Sequence, residues 1–581
     1  MHMRRSSLVL FAVFLTASLP AWSQDWQQWG KNPQHTGATN VVGQHANRIL
    51  DDVIYDPFVE AEKADPFAGG DLLAHYQAPL LDGDDVFMEF KTGAYTDIQH
   101  WNTQIWNEKK LDWDHGHLVE KWTFTSDWKP VPFLSLDTGN GPFFEPVFHA
   151  ALSGSFIYIP GAGGSIFKVN KNSGSLVTRF KPFGNTLDPN TYSVAPPTVD
   201  GSGNVYYNVL KLDPTNPWDV DVVNSWLVKI SANGTVKTAT YATLNSGAPH
   251  GTDQCLGIFD PADLPWPPSP NAVPGTVTCG SQRPPANASP AVAPDGTIYV
   301  VTLAHFWDRQ SYLLAVNSNL TPKWAASLRD RFHDGCNVLI PPNGQPNGCR
   351  NGSHTGVDPS QNRNGAGRVI DDSTSSPVVA PDGSVLYGAY TRYNYAQGHM
   401  MKFSSSGQFL SSYRFGWDIT PAIYSHDGTY SVLQKDNQYS GLGSYCDDEV
   451  LCPPDRTATN PGFPEAYFIT RLNSNLQIDW RWQNTNTQSC SRDSHGHITC
   501  VSDHPAGFEW CVNGPAVDKI GNIYNNSEDG NVYVIRPNGT LRERLFLNTA
   551  LGAAYTPLSL DQDGKILAQN DGHLFVVGED H

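Results

Sequence analysis

The sequence predicts an all-β fold, an eight-bladed β-propeller of four-stranded antiparallel blades, from a recurring cassette, its spacing and its turns. The clearest copy starts at Asn287 and reads NASPAVAPDGTIYV: a proline, a short apolar strand, an Asp-Gly turn and a second strand carrying Tyr299. Variants follow Pro79, Pro146, Pro197, Pro377, Pro421, Pro515 and Pro557, making eight with the copy at Pro290. The shortest spacing between these prolines is about 42 residues, the length of one four-stranded blade. A chain with 51 Gly, 43 Pro and 17 Trp, and few long amphipathic runs, agrees with turn-rich β-structure.

Each blade can be drawn from its own residues. In the Pro290 copy, 288–293 form the first strand, Asp295-Gly296 the turn, 297–303 the second strand, 311–316 the third and 324–328 the fourth. The third strand recurs as SWLVKISANG from Ser225, GHMMKFSSSG from Gly398 and NVYVIRPNG from Asn531. Alternating apolar positions followed by Asn, Gly or Ser are hairpin signals. The eighth copy has no residues left for a fourth strand. RILDDVIY at 48–55 is expected to supply it and so cover an open sheet edge.

Residues 1–23 carry Arg4 and Arg5, an apolar run and a small-x-small site at Ala21-Trp22-Ser23, the pattern of a secretory signal peptide. No later stretch approaches the roughly 20 apolar residues needed to span a membrane. The expected product is an exported protein, periplasmic or secreted, with 24–581 as a single propeller domain. A net charge of -19 with 16% charged residues leaves no basic stripe for phosphates, which argues against nucleic acid as a partner.

The segment DWQQWGKNPQHTG at 25–37, followed by these cassettes, resembles the start of proteins with pyrroloquinoline-quinone (PQQ)-like repeats, the quinoprotein-like propellers. The resemblance covers essentially all of 24–581. It implies an eight-bladed fold and admits PQQ with calcium as a cofactor, since the superfamily includes quinoprotein alcohol dehydrogenases. It also includes propellers without a cofactor, such as the outer-membrane-protein assembly factor. Two departures disfavour the cofactor here. No two cysteines are adjacent, whereas the dehydrogenases stack a ring of adjacent cysteines on the quinone, and their tryptophan-docking motif survives only as echoes at Trp324 and Trp480. A C-x-x-C-H haem motif is also missing.

Extra residues fall on one face of the disc. The turns within the first and second hairpins are short, while 242–286, 329–374 and 486–513 between blades and 435–465 within one are long. Loops on a rigid scaffold are where binding and catalysis concentrate, so this face around the channel is the expected site. All nine cysteines lie in these insertions. Local pairings would join Cys255 with Cys279, Cys336 with Cys349 and Cys446 with Cys452, leaving one bridge and one free thiol among Cys490, Cys500 and Cys511.

Residues entering the innermost strands from that face are the ligand-binding candidates: Glu145, Asp371, Asp372, Asp418, Glu509 and Trp510, joined by His305, Trp307, Arg392 and Tyr393 from loops within blades. Acids, a cation and aromatic faces suit a polyol, sugar or small cationic ligand, and paired carboxylates suit acid-base work. The same residues also serve as turn caps and packing between blades. His495, His497 and His504 form the weaker metal candidate, H-x-H spacing with a neighbour. His117, in the pair His115-Gly116-His117, is read instead as the repeat position shared with His399 and His573, ahead of a third strand. Gly161 to Gly164 reads as a hairpin, and neither G-x-S-x-G nor H-E-x-x-H occurs. Two function classes follow: a binding or scaffold role toward a small polar ligand, a glycan or a partner protein, or an enzyme at the channel mouth. The enzyme would be a quinoprotein-like oxidoreductase or a carboxylate-based lyase or hydrolase.

Overall fold

A computed structural model of the chain describes residues 26–70, 77–340, 349–373, 375–391, 397–439, 465–510, 513–552 and 557–579. Residues 1–23, read above as a leader, therefore lie outside the described residues, as do Arg392, Tyr393, Cys446, Cys452 and Cys511. Eight antiparallel blades of four strands stand in a ring, the fourth extended by the two-residue strand Gln282–Arg283. In the fourth blade the strands are Ala291–Val292, Ile298–Ala304, Trp307–Val316 and Pro322–Ser327. The second strand is buried along its whole length, whereas the fourth is largely solvated. That gradient is expected when twisted sheets pack face to face and only their outer strands meet water.

The ring closes as expected. Arg48–Ile54 pairs antiparallel with His573–Gly578, completing the eighth blade from the other end of the chain. Side chains fix this closing strand on both sides, with His573 Nδ1 2.7 Å from Asp52 Oδ2 and His117 Nδ1 3.3 Å from Asp51 Oδ1.

One part of the repeat reading needs correction. His117 does not precede a third strand; it opens His117–Thr125, the fourth strand of the first blade, because Gln104–Asp114 already fills the third place. A long connection through 94–103 delays that third strand and displaces the sequence register.

The tryptophan echoes have a shared geometry. Trp122, Trp324 and Trp480 lie on fourth strands, and each donates its indole N–H to a turn carbonyl of the next blade: Lys171 at 2.9 Å, Ser405 at 2.9 Å and Pro537 at 2.8 Å. In each turn a glycine lies beneath the indole; a Cβ on Gly407 would come within 2.8 Å of the Trp324 ring. Glycine is required because the ring occupies the side-chain position and the backbone there has positive φ.

The segment after residue 25 runs around the channel on the short-turn face, visiting the blades in chain order. Amide groups of the innermost strands donate to it: Leu81 to the Trp26 carbonyl, Leu152 to Gln27, Val292 to Pro33, Val379 to Gln34, Ile423 to Thr36 and Val517 to Gly37, all at 2.7 to 2.9 Å. Val199 donates to the side-chain oxygen of Gln28 at 2.6 Å. Innermost strands are sheet edges with unpaired N–H groups, and this strap supplies their acceptors.

Candidate functional site

On the opposite face, segments leading into different blades meet over the channel. Phe143 and Phe144, ahead of the second blade, both donate their amides to Asp372 Oδ1, ahead of the fifth, at 2.7 and 2.8 Å. Asn287, ahead of the fourth, accepts from Val147 N and donates to the Asp371 carbonyl. These links hold separate loops as one unit.

Beside that crossing lies a cavity of about 290 Å³ whose walls include Arg283, His305, Trp307, Asp308, Arg368, Asp371, Asp372 and Tyr390. Two guanidinium forks frame it. Arg283 grips Asp371 with both terminal nitrogens at 2.7 Å, and Arg368 grips Asp308 at 3.0 and 2.6 Å. Bidentate pairs of this kind fix orientation as well as charge. Arg283 also donates through Nε to His305 Nδ1 at 2.9 Å. Arginine cannot accept, so Nδ1 carries the lone pair and Nε2 the proton. Burial, reinforced by the Arg283 charge, holds His305 well below the usual imidazole range and keeps it neutral. Trp218 lies against His305 with near-parallel rings, 5.8 Å between centroids.

Two groups on the wall are left able to act on a ligand. Burial raises the Asp372 carboxyl to about 7 against the pull of its two amide donors, with Asp371 and Asp418 adding to the rise. Near neutrality it can therefore either give or take a proton. The indole Nε1 of Trp307 is buried and has no hydrogen-bond partner. Together they offer a donor and a titrating acceptor in a pocket with aromatic walls.

Four candidates, His305, Trp307, Asp371 and Asp372, thus come together. Asp418 is one step behind them, accepting from Ser373 Oγ at 2.8 Å and from Ser375 N at 3.2 Å. Glu145 is engaged elsewhere, 2.7 Å from the buried Lys91 ammonium. Trp510 is fully buried between Trp482 and Tyr533, and Glu509 accepts from the Tyr439 hydroxyl. His495 and His497 sit at the exposed tip of the hairpin formed by Gln488–Arg492 and Ile498–Ser502. His504 stacks on Phe508 beyond that hairpin's foot, so a strand of about 17 Å separates it from the pair. Among the described residues no group of three or more His, Cys, Asp or Glu is placed to hold a metal.

Disulfides join Cys255 to Cys279, Cys336 to Cys349 and Cys490 to Cys500. Two are the local pairings read from the sequence, and the third resolves which two of the last three cysteines bond. Arg283, Asp308, Arg368, Trp218 and Tyr390 were not among the sequence candidates. The two arginines lie in lead-in stretches, QRPPANASP and AGRVIDD, where a lone cation ahead of an innermost strand is the available signal.

No family model matches the chain, and no curated relative matches it. Solved structures do. A europium-containing methanol dehydrogenase superposes with a TM-score of 0.50 at 10% identity, over 94% of this chain and 89% of that one. The quinohemoprotein alcohol dehydrogenase from Comamonas testosteroni follows at 0.48 and 12%, over 96% and 81%. BamB from Moraxella catarrhalis gives 0.37 and 13%, over 88% and 97%. At such identities the likeness is one of fold, the eight-bladed propeller that the strand order already shows.

The cavity residues do not fit the quinone itself. Both wall arginines are already forked onto aspartates and a third aspartate joins them, so a tricarboxylate would meet a neutral to negative lining. The three disulfides span 24, 13 and 10 positions, and none forms a ring of adjacent cysteines for stacking.

Proposed function

We propose that this is an exported binding protein, periplasmic or secreted, whose loop-rich face takes up a small polar ligand such as a sugar or polyol, or a sugar residue of a glycan. Disulfide-bonded loops favour an oxidising compartment, and 1–23 would be its leader. The observation carrying the reading is the roughly 290 Å³ cavity with Asp372 and the unpartnered Trp307 indole on its wall. That volume is at the small end of ligand pockets, matching a single sugar ring. Hydroxyl groups can donate to the carboxylate and accept from the indole, while an apolar sugar face covers an aromatic ring. A partner protein remains the broader form of the same reading.

Asp372 also favours a second reading, an enzyme using it as general acid or base on the bound ligand, because its carboxyl titrates at about 7. Thermal-shift and calorimetric titration of the full chain with a panel of monosaccharides, polyols and small amines tests both. Saturation at 100 times the dissociation constant stabilises by about 2.7 kcal/mol, and Asp372→Asn should weaken the binding. Turnover of a bound sugar that is lost in Asp372→Asn would favour the enzyme. An absence of any shift would remove the small-ligand reading.

A further inference from the structure

We infer that the free edge of the hairpin formed by Gln488–Arg492 and Ile498–Ser502 is a self-association site, pairing with the same edge of a second copy of this chain in an antiparallel, twofold arrangement. One side of the hairpin is taken: Ala550 N donates to the Cys490 carbonyl and Arg492 N to the Asn548 carbonyl, both at 2.8 Å. Along its other side, Ile498–Ser502, no further strand lies among the described residues. Because the Cys490 carbonyl faces Ala550, Cys490 and Cys500 form a pair whose amides and carbonyls point away from each other. Those of Ile498, Cys500 and Ser502 therefore point outward, along the free edge.

This edge lacks the protection found elsewhere on the disc. Each of the eight outer blade strands carries at least one charged side chain, which discourages strand addition. Ile498–Ser502 reads ITCVS, β-branched and without charge, proline or bulge, and its Ile498 and Val501 are 47% and 62% exposed. The Cys490–Cys500 bridge ties it to its neighbour, so the edge is held extended before a partner arrives. The outward groups are centred on Cys500. A twofold axis there sets Ile498 against Ser502 and Cys500 against Cys500 of the second copy, giving about six backbone hydrogen bonds, and any shifted register gives fewer. In that register Thr499 packs beside Val501, and Asp503 comes beside His497 rather than another acid, on a chain of net charge -19. Such a contact uses the same patch on both copies and closes at two, which favours a second copy over an unrelated extended segment.

Sedimentation velocity of the full chain over a concentration series, with hydrogen exchange measured across 497–503 at both ends of the series, tests this. A reversible monomer–dimer equilibrium is expected, with exchange in that segment slowing as concentration rises. Ser502→Pro removes one outward donor and leaves the backbone bonds to Gln488–Arg492 in place, and Val501→Lys puts a charge on the edge. Each should weaken dimerisation about tenfold or more. An unaltered thermal midpoint of the dilute variant separates loss of the contact from loss of the fold, and Val501→Lys decides if Ser502→Pro disturbs the hairpin. A chain that stays monomeric, or a dimer that both variants leave intact, overturns the site. A monomer whose exchange slows only on adding a valine–threonine peptide also overturns it, and would assign the edge to an extended segment of another protein.

Discussion

Lys91 lies between two carboxylates, its Nζ 2.7 Å from Glu145 Oε1 and 2.8 Å from Asp56 Oδ2, in a space closed to solvent. Glu89 and Glu108 face each other across the neighbouring strands, and burial raises both carboxyls, Glu108 to about 8. The one ammonium therefore neutralises a buried acidic group of side chains. Lys91→Met should cost about 3–5 kcal/mol, since removing one partner of a buried pair leaves uncompensated charge. Urea denaturation at neutral pH measures it, and a loss below 1 kcal/mol would show that the acids are protonated without Lys91.

The strap around the channel depends on Gly37. Its φ is +61°, and a Cβ there would lie 2.6 Å from the Pro515 carbonyl oxygen, which cannot move without shifting the seventh blade. Gly37→Ala combines a left-handed backbone with that clash, and a loss of about 1–3 kcal/mol is expected in denaturant titration.

How much of this was legible in the sequence differs between elements. Blade count, hairpin turns and the closing strand at 48–54 were readable, because Asp-Gly turns and alternating strands are local signals. For Asp295, the carboxylate accepts from Thr297 N two residues on, a bond written into the turn itself. The first blade misled because a connection through 94–103 hides its third strand. Arg283 and Asp371 are 88 positions apart, and no local pattern announces that they meet. Glu145, like Asp371, lies in a segment leading into an innermost strand, yet it pairs with Lys91 rather than with an arginine of the cavity wall.

The Cys255–Cys279 bridge borders the proposed ligand cavity, since Cys279 accepts from Phe306 N at 3.0 Å and packs near Trp307. Replacing both cysteines by serine should lower stability by about 3 kcal/mol on the chain-entropy account. It should also weaken ligand binding, because the wall bearing His305 and Trp307 loses its brace. Parallel calorimetry and denaturation separate the two effects; unchanged affinity in the destabilised variant would mean that this wall holds without the bridge.

Asp372 makes stability depend on pH with a definite sign. Its carboxyl ordinarily titrates at 3.8 and is raised to about 7 in the folded protein. Between those values the folded chain binds more protons than the unfolded one, so this group's contribution falls as pH rises from about 4 to about 7 and is flat beyond. Asp372→Asn retains an acceptor for the Phe143 and Phe144 amides but cannot ionise. The variant should therefore gain on the wild type by up to about 4 kcal/mol between pH 4 and pH 8, at 1.36 kcal/mol for each unit of displacement. Glu108 pushes the total in the same direction, so the measurement is the difference between variant and wild type at each pH, from paired urea titrations. A difference that stays constant from pH 4 to pH 8 would mean Asp372 titrates normally, removing the acid-base reading along with the pH effect.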